Sequence, residues 1–404
     1  MGTKATARIC ALLCMMMALT LLTGCWNSRE LNALSIVTGI GVDLEPETGD
    51  FKVSFQLVIP TSTSSGSGSG SVSPSSLIIT AKDKTIFSAL RRASKQVSRQ
   101  LFFAHIQLLV IGEELARKGV DNIFDIFERS HELRLNSAVL VSRGLDAESV
   151  LKVLTPVESL PSFGLVNKAQ ISSSVWGENR RINVFDAIHA YIGEGDMTIN
   201  AVSIKGDPEE GAKKKQLEQT EPLAVSSING LGAFHNGKLT YWLNGAEARG
   251  TQWVLDKIEE AVVNVSAAEY GQPIAVNVYH SISDVKVKLK NGTPVFKVHI
   301  REEGSVSETE GFIDLSSQEE IAKLEKAFEK VTADEIMAAW KTAREHKSDI
   351  FGFGNELKRT NPQGWKKVEK NWEDYFASGE IELHIEGHIR STGMRLKPYM
   401  KPSE

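Results

Sequence analysis

Cys25 constrains this chain more than any other residue. It follows a leader that carries Lys4 and Arg8, no acidic group, and an apolar run from Ile9 to Leu22. A charged start, a short apolar stretch and small residues before a cut predict a secretory signal peptide over residues 1–24. The run falls short of the about 20 apolar residues that a spanning helix needs. Removal of the leader takes away Cys10 and Cys14, two of the three cysteines. Residues 25–404 then hold Cys25 alone, so no intramolecular disulfide can form and packing must supply the stability. That length is too great for one ordinary core and predicts two or three domains.

The ending Leu22-Thr23-Gly24-Cys25 resembles a bacterial lipobox. The resemblance implies a diacylglyceryl group on the Cys25 thiol and cleavage just before it. Two acyl chains turn marginal, reversible binding into stable anchoring. The chain carries a formal charge of −5, which the loss of two basic leader residues makes more negative. This balance excludes a nucleic-acid binder, which needs a basic face.

The mature chain opens with strand patterns. Leu34, Ile36, Ile40 and Val42 share one parity, and Phe51, Val53, Phe55, Leu57 and Ile59 alternate as in a half-buried strand. Residues 61–76, nearly all Ser, Gly and Thr, cannot bury enough apolar area to offset their ordering entropy and predict a mobile loop. A strand over 77–81 and a helix over 83–98 follow. The apolar run 101–111 predicts one strand buried on both faces, with His105 a core histidine among Phe102, Phe103, Leu108 and Leu109. Helices are expected over 114–118, 122–133 and 148–154, and a strand over 137–141.

Pro156 and Pro161 mark the first boundary. The middle segment predicts a helix near 184–192 and strands near Ala201, Leu231 and Leu239, with 206–222 as a solvated loop. Beyond Gly250 come strands over 275–279, 285–289 and 295–300, with Asn291-Gly292 as a hairpin turn. Ser316 or Ser317 caps a helical region that is either one helix or two, the second capped by Thr332 with Glu335. Trp365, Trp372, Tyr375 and Phe376 fall on a last aromatic helix, and 380–390 forms a closing strand. The expected fold is α/β, mixed with α+β features, in three successive domains (25–157, 158–250 and 251–404), each a mixed sheet flanked by helices.

The search for chemistry finds no catalytic residue. There is no Gly-x-Ser-x-Gly elbow and no cysteine nucleophile after Cys25, and His131-Glu132 lacks a second histidine at helical spacing. The glycines of the Ser/Gly tract lack the Lys-Ser/Thr ending of a phosphate loop. His384, Glu386 and His388 share one face of the last strand, but their alternating partners are apolar, so that face reads as the solvent side and no metal site is assigned. No cofactor is expected.

Four blocks carry a resemblance. They are Gly24-Cys25-Trp26 with Gly39-Ile40-Gly41-Val42-Asp43; Leu101-Phe102-Phe103 with Ile111-Gly112-Glu113-Glu114; Gly232-Ala233-Phe234 with Trp242; and Asp349-Ile350-Phe351-Gly352-Phe353-Gly354 with Trp365 and Trp372. In this order they resemble the Ger(x)C family, the lipoprotein C subunits of bacterial spore germinant receptors. The resemblance implies an elongated three-domain body without enzymatic activity, anchored through Cys25 to the outer face of the spore inner membrane. It also implies membrane-embedded A and B subunits as partners. A solute-binding lipoprotein serving a transporter is the alternative class; it would show two lobes around an aromatic cleft. Locally, Trp365 and Trp372 are expected to share a helix face, and Gly352 and Gly354 to end a helix and permit a bend.

Overall fold

The computed structural model describes residues 2–21, 30–59, 74–266, 273–309, 313–393 and 395. Cys25 and most of the Ser/Gly tract lie outside these residues. The first described residues form helix α1 (Gly2–Leu21), and no helix among the described residues is long and apolar enough to cross a membrane.

Three antiparallel strands open the body: β1 (Leu34–Leu44), β2 (Phe51–Val58) and β3 (Ser76–Asp83). The expected half-buried β2 is buried on both faces. Val53, Phe55 and Leu57 face one core, while the Gln56 amide on the other face donates to the Leu151 carbonyl at 3.0 Å and accepts from the Ser162 amide at 3.0 Å. After α2 (Ile86–Ala93), capped by Thr85, the apolar run 101–111 splits. It gives β4 (Gln100–Phe102) and β5 (Leu108–Ile111), both parallel to β1, with a turn between them in which the Gln107 amide donates to the Thr38 carbonyl. His105 sits on that turn, exposed and edge-on to Phe102, rather than in the core.

Helices α3 (Glu113–Lys118) and α4 (Asp121–Arg129) lead to β6 (Ala138–Ser142). Then come α5 (Ala147–Lys152), α6 (Pro161–Val175) and α7 (Val184–Tyr191). Helix α6 has no counterpart in the sequence expectations. Its apolar residues follow no single stripe, and Pro161 at the first helical position is its one local signal. Strand β7 (Met197–Gly206) runs parallel to β6, and β8 (Ala224–His235) and β9 (Lys238–Leu243) complete the sheet antiparallel. The order is β3-β2-β1-β5-β6-β7-β8-β9, with β4 on β1. Segments 25–157 and 158–250, each expected to carry its own sheet, therefore share one. The loop expected over 206–222 contains a short helix α8 (Pro208–Gly211) and the fully buried Gln216, whose amide joins the Leu154 carbonyl to Leu223 and Ala224.

Helix α9 (Ala246–Val254) leads to the second sheet, of order β10-β11-β12-β13. After β10 (Ala261–Val265), the three strands expected over 275–300 are two long ones, β11 (Ile274–Lys290) and β12 (Thr293–Thr309). The hairpin lies where Asn291-Gly292 placed it, with φ of 53° and 88°. A single helix α10 (Gln318–Glu345), capped by Ser317, follows; Thr332 caps nothing and instead donates to the buried Glu302 carboxylate at 3.0 Å. Helices α11 (Phe353–Thr360), α12 (Pro362–Val368) and α13 (Trp372–Ser378) return the chain to β13 (Glu380–Ser391), parallel to β12. The last aromatic helix is thus two, with Trp365 and Trp372 meeting edge-on at 5.2 Å.

The architecture is mixed α/β, as expected: two mixed sheets flanked by helices. One face of the large sheet packs on α2, α3, α4 and α7, the other on α5 and α6. A third core is continuous from Leu231, Ala233, Tyr241 and Leu243 at the edge of the large sheet, through Trp253 of α9, to Phe296 of β12 in the second sheet and to Phe328 of α10 and Phe353 of α11. No gap in apolar packing separates the two sheets.

Candidate functional site: the junction of the two sheets

The most elaborate polar construction lies where this shared core surfaces. Asp349 follows α10 and is 3% exposed. Its carboxylate accepts from the Phe353 amide at 3.0 Å, the Gly354 amide at 2.7 Å and the Trp372 indole at 2.9 Å. Three donors around one carboxylate bind the start of α11 to α13. Burial nevertheless pushes its pKa up to about 6, against the pull of those hydrogen bonds. Gly352 and Gly354, expected to end a helix, instead begin one. Gly352 has a φ of 71° at the N-cap of α11, and a Cβ on Gly354 would lie 2.5 Å from the Glu194 carbonyl and 2.9 Å from the Trp372 indole nitrogen.

Across the junction, the loop between α7 and β7 docks on this turn. The Asp196 amide donates to the Asp349 carbonyl at 2.8 Å, the Glu194 amide donates to the Asn355 side chain at 2.9 Å, and Lys358 pairs with Glu194 at 2.6 Å. His235, at the end of β8, bridges Asp196 at 3.0 Å to Glu373 of α13 at 3.3 Å. Its hydrogen bond to Asp196 raises its pKa.

A second set of contacts ties α9 to α10. The Arg249 guanidinium and the Trp253 indole both donate to the Glu335 carboxylate, at 2.9 Å each for Arg249 Nε and Trp253 Nε1. All three groups are largely withdrawn from water, the regime in which a charge pair is costly to break. Gly250, between Arg249 and Trp253, lets the helices touch: a Cβ there would stand 2.0 Å from the Glu335 carbonyl oxygen. Beside the junction runs a cleft of about 950 Å³ lined by Arg180, Arg181, Asp196, Lys257 and Glu259.

None of these groups pairs a nucleophile with a base. What the arrangement does is mechanical: it locks the large sheet to the second sheet through backbone hydrogen bonds, close helix contact and ion pairs. Sequence reading missed Arg249, Asp196 and His235, and gave Glu335 only a place in a helix cap, because each acts through a partner at least 39 residues away. Of the last-strand trio, the structure brings His384 and Glu386 together at 3.1 Å, whereas His388 turns toward Glu325 at 3.9 Å.

Fold and junction together define a mixed α/β protein whose two sheets are fused through one core. Residues 27–204 match the model of the spore germination protein N-terminal domain, and residues 229–393 that of the spore germination B3/GerAC-like C-terminal domain. The chain is 30% identical over 391 residues to spore germination protein KC of Bacillus subtilis (strain 168), covering 95% of this chain and 96% of the relative. It is 26% identical over 389 residues to spore germination protein B3 of the same strain, covering 94% and 96%. The crystal structure of the GerBC protein shares the fold, with a TM-score of 0.55 at 21% identity over 87% of this chain and 97% of that one. The chain belongs to the Ger(x)C family of spore germination proteins. Two of the blocks on which the resemblance rested, Gly232–Phe234 and Asp349–Gly354, supply strand and turn to the junction just described.

Proposed function

We propose that this chain is a non-enzymatic subunit of a spore nutrient-germinant receptor. It is held at the outer face of the spore inner membrane by a diacylglyceryl group on Cys25, and it acts through membrane-embedded A and B subunits. The observation that carries this reading is the likeness to spore germination proteins KC and B3 over 95% and 94% of the chain. The fused core supports it: surfaces on the two sheets are held in fixed relation, so a partner bound to one feels displacement of the other. Tethering adds high effective concentration at the membrane without any further contact.

The anchor is testable at one atom. Cys25→Ala is expected to abolish lipidation and shift the chain out of the membrane fraction, because the remaining body offers no spanning helix among its described residues. Mass spectrometry of the membrane-bound N-terminal peptide reads the modification directly. An unmodified Cys25 on membrane-bound mature chain contradicts the anchor.

A further inference from the structure

The outer face of the second sheet carries three groups that neither the junction nor the anchor uses. Parallel pairing of β12 with β13 sets His299 beside His384 in register, and Glu386 lies two residues further on the same face. The Glu386 Oε1 atom stands 3.1 Å from His384 Nε2 and 3.2 Å from His299 Nε2. The two imidazole rings lie 4.7 Å apart. His299 Nε2 is shielded from water, yet it makes no well-aligned hydrogen bond, the Glu386 approach included. A buried ring nitrogen left in this state calls for a partner.

We propose that His299, His384 and Glu386 form a binding site for one divalent transition-metal ion, zinc foremost. Zinc holds nitrogen and oxygen ligands at about 2.0–2.2 Å, which puts neighbouring donors in a tetrahedral shell about 3.4 Å apart. Two of the three separations already match that edge. The third is at most 4.8 Å and closes by rotation of half-exposed side chains. Two imidazoles and a carboxylate select zinc, copper or nickel over magnesium or calcium, which prefer all-oxygen shells. The frame beneath is rigid, since Val298 and Ile300 on the inward side of β12 are 1% and 0% exposed. Asp284, opposite His299 on β11, adds negative charge to the row, although its carboxylate is engaged with Lys286 at 2.7 Å. Three protein ligands leave a fourth position for water or for a side chain from another protein. His388, the third ligand that alternation along the last strand offers, is not part of the site.

The test uses the full lipidated chain in detergent, purified without a histidine tag and stripped of metal. Zn2+ titration against a chromogenic chelator is expected to show one ion bound per chain. His384→Ala and Glu386→Gln should each weaken binding more than about tenfold, a scale reached even by groups one shell beyond the ligands. His388→Ala should leave it unchanged. All three positions lie on an exposed strand face, and circular dichroism checks that the fold is kept. A Co2+ complex with the strong visible absorption of low coordination number adds an independent signature. Absence of saturable Zn2+ binding, binding indifferent to His384→Ala and Glu386→Gln, or equal sensitivity to His388→Ala overturns the proposal.

Discussion

Gly250→Ala is expected to destabilise the chain by on the order of 3 kcal/mol, opposite in sign to what helix propensity predicts. In an ordinary helix interior the change is favourable by roughly 1 kcal/mol, because alanine has less backbone freedom to lose. Here the new Cβ would fall 2.0 Å from the Glu335 carbonyl oxygen and 2.6 Å from its carbon. Both belong to the backbone of α10, so no rotamer change relieves the clash, and the two helices must separate. Separation also pulls Arg249 and Trp253 from the Glu335 carboxylate, leaving charge in a site that excludes water. Denaturant unfolding of wild type and variant reads the difference. A variant as stable as wild type, or more so, would show that α9 and α10 are not in the close contact described.

The second large effect is a dependence on pH. In the folded chain Asp349 has a pKa of about 6, above its ordinary 3.8. Between those values the folded state keeps a proton that the unfolded chain has released. Its contribution is therefore fully present below the ordinary pKa and lost as pH rises through about 6. The amide introduced by Asp349→Asn cannot titrate, so the stability of wild type minus that of the variant should grow as pH falls from 7 to 4. The expected growth over that range is about 2 kcal/mol. Asp43 is raised to about 6 by its own burial and acts with the same sign in both proteins, so it drops out of the comparison. A difference that stays flat, or shrinks as pH falls, contradicts the burial of this carboxylate.

Much of the fold was legible where the signal is local. Alternation marked β2 and β13, Asn291-Gly292 marked the hairpin, and Ser317 marked the start of α10, whose cap contact is with the Glu320 amide. What failed was what depends on distant partners. The run 101–111 is apolar apart from His105 and Gln107, yet its chain turns at His105 because two separate stretches of β1 are available for pairing, Leu34–Ile36 and Gly39–Val42. Helix α9 was missed because Gly250 looks like a breaker until the helix packed against it is known. The joining of the first two segments rests on a short ladder, Val141 with Ala201 and Ser142 with Val202, which no periodicity announces. The same holds for the junction. Asp349 and the glycines after it stood out as a block, but the loop from Glu194 to Asp196 that meets them did not. His299 and His384 become neighbours only through the register of two strands far apart in the chain.

The central claim is that this body works as a tethered, non-enzymatic component of a receptor, through partners rather than through chemistry of its own. The most direct measurement is affinity isolation of the full chain from dormant-spore membranes, with identification of what accompanies it, alongside the nutrient response of spores lacking it. The account predicts co-isolation of integral membrane subunits from the wild-type chain. It also predicts loss of one nutrient response on deletion, restored by the wild-type chain and not by Cys25→Ala. Recovery of the chain free of membrane subunits, with the nutrient response intact in its absence, would contradict it.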